Sequence, residues 1–229
     1  MGEAAATLPL MPHQVAALRR ALLAWGVRHF RPFPWRQTTD PYRILIAEIL
    51  LHRTQVKQVV PVYNAFIARY PDMQALVRAS KEDLHQALYS LGLHWRISLL
   101  YEMAQAIQKR HGGEIPRERE ALLSLPGVSQ YVAGAVRCFA WNEPEALMDT
   151  NTVRVAGRLL GWEVKDSSRR SQRFRVALAA LLDPQEPRHF NYALLDLAHL
   201  VCLKKQEPLC RGCPLKDHCH FAAQKRRTG

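Results

Sequence analysis

The chain has 229 residues and a formal net charge of +12 at pH 7, from 32 Lys and Arg against 20 Asp and Glu. With 48% apolar residues it reads as a folded chain rather than a disordered one. No apolar run reaches membrane-spanning length and the first eleven residues lack the basic start of a secretory signal, so the reading is a cytoplasmic protein whose positive excess suits a polyanion, nucleic acid first.

Apolar residues recur at helical spacing between short Pro, Gly or Ser breaks, and no strand-like alternation appears. The spacing predicts helices over 13–29, 41–53, 56–69, 72–79, 81–90, 96–111, 117–125, 130–140, 150–160, 168–183 and 189–201. Asp40 before Pro41 places an N-cap ahead of a proline at the first helical position. Ser80-Lys81-Glu82-Asp83 reads as a capping box with Asp83 in the usual Glu place. Residues 1–12 and the basic end Lys225-Arg226-Arg227 are expected to be mobile.

In the helix predicted over 41–53, Glu48 is the only charge between Arg43 and His52, and its neighbours are all apolar. A carboxyl buried there has its acid form favoured by desolvation, which suits a proton donor. The other reading is a structural Glu bonded to a neighbouring helix end.

Further along, Leu125-Pro126-Gly127-Val128-Ser129 separates a short helix from one beginning near 130. Pro126 and Gly127 force a tight turn, and Val128 is expected to tuck into the pair's core. The amides after the turn open a helix N-terminus, an anion site able to take a phosphate. A plain pair of packed helices would read the same way. Cys138 sits on an apolar helical stretch and is expected in the core. Asp149 opens the next predicted helix, either as its N-cap or, after apolar Ala146-Leu147-Met148, as a carboxylate at the mouth of a cleft.

Four of the five cysteines, Cys202, Cys210, Cys213 and Cys219, fall in one stretch with spacing C-x7-C-x2-C-x5-C. Without a secretory signal, disulfides are a poor explanation. Zinc usually takes two separated C-x2-C pairs. A single pair flanked by lone cysteines fits a [4Fe–4S] cluster better, with zinc as the second reading. His199, His218 and His220 lie near enough in sequence to join such a site.

The hairpin, the Asp149-Thr150-Asn151-Thr152-Val153-Arg154 segment and the cysteine loop agree in order and spacing. Over about residues 30 to 221 the chain resembles the helix–hairpin–helix DNA glycosylases of the endonuclease III/MutY superfamily. Ser129 stands where that family's hairpin has its second glycine, and the first cysteine gap is seven residues where the family usually has six. The resemblance implies an all-α fold of two lobes. A six-helix barrel lobe would span 30–141, and a cluster lobe would join 13–29 to 142–229, with double-stranded DNA in the cleft between them. It also implies excision of a flipped, damaged or mispaired base.

On that footing Asp149 stabilises the positive charge that develops on the sugar. Gly127 and Ser129 bind the backbone, and Asn151 supports Asp149 or contacts DNA. Bifunctional relatives carry a Schiff-base lysine where this chain has Tyr131, and no lysine lies between Lys109 and Lys165. A monofunctional hydrolase is therefore implied. Three features resemble the thymine-specific mismatch (MIG) type more than MutY. Tyr131 is the residue expected at the base pocket, and no segment for an 8-oxoguanine-reading domain follows the cysteine loop. The stretch from Glu48 to Thr54 also carries an arginine, Arg53, expected at the duplex gap or the orphan guanine. Leu93 matches the wedge position. The expected activity is removal of thymine or uracil opposite guanine by a monomer, with Asp149, Tyr131 and Glu48 as catalytic residues. A short adenine glycosylase and a catalytically silent DNA-binding module are the rivals.

Overall fold

The computed structural model describes residues 8–92 and 94–228, and among them every regular element is helical. The longer helices are α1 (Pro12–His29), α2 (Pro41–Leu51), α3 (Val56–Arg69), α4 (Met73–Val77), α5 (Lys81–Leu88) and α6 (His94–His111). They continue with α7 (Arg119–Leu123), α8 (Gln130–Trp141), α9 (Thr150–Leu160), α10 (Gln172–Leu181), α11 (Pro187–Leu200) and α12 (His220–Thr228). None of the described helices is long and apolar enough to cross a membrane.

The helix starts follow local chemistry. Asp40 Oδ1 accepts from the Tyr42 amide at 2.9 Å, with Pro41 opening α2 behind it. Ser80 and Asp83 form the reciprocal capping box of α5. The ends differ more from expectation. α2 stops at Leu51 because His52 turns extended and Arg53 takes a left-handed backbone, φ +62°. A non-glycine residue there is uncommon and strained. The stretch expected as one helix over 168–183 is a 3-10 turn (Asp166–Arg170) and α10, divided at an extended Ser171. The basic end expected to be mobile is instead the last turn of α12. Cations suit a helix C-terminus, Ala222 is buried, and Lys225 pairs with Glu207. Of residues 1–12, expected to be mobile, 1–7 lie outside the described residues, whereas Leu8 and Leu10 pack against the core of the first unit and Pro12 opens α1.

The chain divides into two compact units, Met1–Arg31 with Glu143–Gly229, and Pro32–Asn142. In the first, α1 lies against α11 so closely that a Cβ on Gly26 would fall 2.5 Å from that of Ala193. α9 is sandwiched among α10, α11 and α12. Fully buried Asp196 accepts from the backbone and side chain of Arg31. A buried carboxylate needs such pairing.

The second unit is built around α2, whose residues Ile44 to Leu50 are all buried. It packs on α8, where Cys138 is fully buried. Arg96 is buried too. It donates to the carbonyls of Ile49 and Leu50 at 2.9 and 3.1 Å, satisfying the open C-terminal end of α2. Burial, with Arg53 nearby, lowers the Arg96 pKa to about 10.

Candidate functional site

In the second unit the turn joining α7 to α8 takes its shape from two residues. Gly127 has φ +77°, and an added Cβ would press on Leu99 at 3.2 Å. Ser129 is extended at φ −86°, which any residue adopts, and its hydroxyl accepts from the Val132 amide at 3.3 Å. The missing second glycine is therefore replaced by an N-cap, and the first amides of α8 still face the turn. Val128 is buried beneath it. Tyr131 follows in the first turn of α8, partly buried.

Glu48 is 6% exposed in the middle of α2. One turn further, His52 and Arg53 are exposed on the strained end of the same helix. Partial desolvation, then the charges of Arg96 and Arg53, lower the His52 pKa, which favours a neutral ring. Leu93, the expected wedge, lies outside the described residues.

In the first unit, Asp149 caps α9 and its two oxygens are held separately. Oδ1 accepts from the amides of Asn151 and Thr152 at 2.8 and 2.7 Å, and Oδ2 accepts from the Asn151 side-chain amide at 2.8 Å. The Thr152 hydroxyl accepts from the Asp149 amide at 3.0 Å, closing the capping box. Capping and a functional role were alternatives in the sequence; here the cap gives the carboxylate a fixed orientation.

Two arginines complete this region: Arg154, which closes the motif begun by Asp149 but had no role assigned from sequence, and Arg158 one turn on. Arg154 is 9% exposed and donates to Asn151 Oδ1 at 3.0 Å, to the Cys202 carbonyl at 3.0 Å and to the Ala198 carbonyl at 2.8 Å. Its pKa is lowered by burial, against the opposing pull of Cys202 and Asp149. Arg158 donates to the Cys202 sulfur at 3.2 Å and to the Leu203 carbonyl at 2.7 Å. The i, i+4 spacing of these arginines on one face of α9 was the available signal.

The seven-residue gap between Cys202 and Cys210 is pinned at its base, where the Leu209 amide donates to the Val201 carbonyl at 2.9 Å. The extra residue is thus absorbed in a closed loop. Burial, first among the causes, raises the thiol pKa of Cys210 and Cys219 and lifts that of Cys213 to about 11. Cys202 adds to each of these shifts electrostatically. Among the described residues, no three His, Cys, Asp or Glu side chains are grouped as a single metal ion requires.

Comparison with known proteins places this arrangement. The family model described as HhH-GPD superfamily base excision DNA repair protein matches residues 46–179. The chain is 40% identical over 215 residues to a thymine-DNA glycosylase of Aeropyrum pernix, covering 91% of this chain and 95% of that protein. It is 38% identical over 214 residues to a thymine/uracil-DNA glycosylase of Pyrobaculum aerophilum, covering 91% and 92%. A solved thermostable thymine-DNA glycosylase superposes with a TM-score of 0.86 at 30% identity, covering 93% of this chain and 98% of that one. This chain belongs to the HhH-GPD superfamily of base excision DNA repair proteins.

Proposed function

We propose that the protein is a monofunctional DNA glycosylase that hydrolyses the N-glycosidic bond of thymine or uracil opposite guanine. The observation that carries this reading is the Asp149 carboxylate, fixed at the start of α9 through both oxygens, in a chain with Tyr131 and no lysine on α8. As the bond from C1′ to the base breaks, its electron pair leaves with the base and positive charge grows on the sugar. A preoriented carboxylate stabilises that charge without reorganising. Water then adds to C1′ and gives up a proton. Without an amine on α8, no Schiff base forms there and the strand stays intact.

The other assignments follow. Tyr131 lines the base pocket. Buried Glu48 is the acid or hydrogen-bond donor toward the flipped base. Arg53 reads the acceptor edge of the orphan guanine. The amides at Gly127 and Ser129 take a backbone phosphate, and Asn151 serves Asp149 before it serves DNA. We assign the recognition lobe to residues 30–141 and the cluster lobe to 13–29 with 142–229. The relatives' names, thymine and thymine/uracil glycosylases, favour this substrate over adenine. The protein would work as a monomer on chromosomal DNA in the cytoplasm.

The donor set of the cysteine loop fits a [4Fe–4S] cluster. Four soft thiols lie in one short stretch and act on one another's titration, Cys202, Cys210 and Cys219 each raising that of Cys213. Cys202, Cys210, Cys213 and Cys219 would hold it. When bound it supplies a rigid crosslink, ordering Lys204, Lys205, Arg211 and Lys216 toward DNA phosphates.

The test is a panel of G·T, G·U, G·A and 8-oxoguanine·A duplexes, with abasic sites then opened by alkali. Cutting at T and U opposite G is expected. Cutting only at A would replace this reading with a short adenine glycosylase, and no cutting at all would leave a DNA-binding module.

A further inference from the structure

Trp95 stands in the first turn of α6 with its side chain 51% exposed. A lone exposed apolar residue needs no explanation, but this indole is held from two sides. His52 meets it edge-on, with ring centroids 6.0 Å apart and planes at 85°. The Arg96 guanidinium lies 5.6 Å from its centroid, and that guanidinium is itself fixed on the carbonyls of Ile49 and Leu50. The indole therefore has a set orientation while half of it remains open.

It also has a specific neighbour. Trp95 and His52 share a small recess with Pro126, Gly127 and Ser129. Those three residues form the turn to which the phosphate contact is assigned. An anion donor and an oriented flat apolar face in one recess match the two halves of a nucleotide, its phosphate and its sugar with base. The neutral state favoured for the His52 ring adds no charge to the apolar side.

We propose that Trp95 is a DNA-stacking residue, its indole packing on the nucleotide whose phosphate is held by the turn at Gly127 and Ser129. The inference rests on the DNA-glycosylase reading. Base–aromatic stacking is tolerant of sequence, so Trp95 contributes to affinity for mismatched and matched duplexes alike. Discrimination is left to other residues.

The test compares the parent with Trp95→Ala and Trp95→Phe. Equilibrium binding is measured to a matched duplex and to a G·T duplex whose target thymidine carries a 2′-fluorine that blocks cleavage. Trp95→Ala should weaken both by about ten-fold or more, the usual scale for a lost stack, and Trp95→Phe should recover most of the loss. Tryptophan fluorescence of the parent should be quenched on adding either duplex, and less so for Trp95→Phe. Unchanged affinity of Trp95→Ala overturns the proposal. So does a loss accompanied by a lowered melting temperature that Trp95→Phe does not repair, since the indole is then structural. A parent that binds neither duplex fails the DNA reading itself, and this inference with it.

Discussion

Asn151 is bonded to Asp149 twice, through its backbone amide to one carboxylate oxygen and its side-chain amide to the other, both at 2.8 Å. The far side of the Asn151 side chain accepts from Arg154. The carboxylate is thus oriented by a residue that is itself oriented. Asn151→Ala should keep the fold and lower the single-turnover cleavage rate by about a hundred-fold, the scale of a small misplacement at a reacting centre. Asp149→Asn should abolish cleavage while leaving mismatch binding close to the parent's. Loss of binding in Asp149→Asn would mean the carboxylate serves only the fold.

The hairpin makes a sharper distinction between its two small residues. Gly127→Ala meets both a positive φ and the Leu99 side chain, and should cost about 1–2 kcal/mol in denaturant unfolding. Ser129→Ala removes an N-cap and should cost about 1 kcal/mol, whereas Ser129→Gly should cost only a few tenths. If Ser129→Gly proves as costly as Ser129→Ala, the cap is not what the serine supplies.

Acid should weaken the second unit through His52. Its folded pKa lies below the ordinary value, so the unfolded chain takes up the proton first as pH falls. The stability it contributes is complete above about pH 6.5 and declines as pH drops from there toward the lower folded pKa. Urea unfolding followed across that window should show the decline, and His52→Asn should flatten it. An equally steep decline in His52→Asn assigns the effect to another group.

Arg158 offers a test of the cysteine loop that does not depend on catalysis. Its guanidinium bonds the Cys202 sulfur and the Leu203 carbonyl. Purified protein should be brown, with absorption near ~400 nm from thiolate-bound iron–sulfur. Arg158→Gln should lose that colour faster than the parent under a chelator, and Cys213→Ser should scarcely acquire it. Colourless parent protein with bound zinc would overturn the cluster assignment.

What could be read from the sequence was what local chemistry decides. The caps at Asp40 and Ser80, the burial of Glu48 and the hairpin turn each rest on residues within a few positions of one another. The roles of Arg96 and Arg154 were not legible, because a buried arginine resembles a surface one until its acceptors are known, and the carbonyls that bury these two lie more than 40 residues away in sequence. α12 was missed for a similar reason. Its basic last turn suggests solvent, while its anchors, buried Ala222 and the ion pair from Lys225 to Glu207, are supplied by folding. Asp149 was legible as a residue of interest and Asn151 as its support or a DNA contact, but spacing could not reveal that Asn151 reaches both carboxylate oxygens.

The first unit is assembled from both ends of the chain, whereas the second is one uninterrupted stretch. During synthesis all of Pro32–Asn142 has been made before α11 begins. α1, made first, must wait for α11, which supplies Ala193 opposite Gly26 and Asp196 for Arg31. Until then Leu18, Leu22 and Trp25 lack the core that covers them. A ribosome paused before α11 would carry a chain with the whole second-unit stretch already made and the apolar face of α1 still uncovered. Chaperone demand should therefore concentrate in that interval, and the cysteine loop, emerging later still, can be ordered only after it has passed.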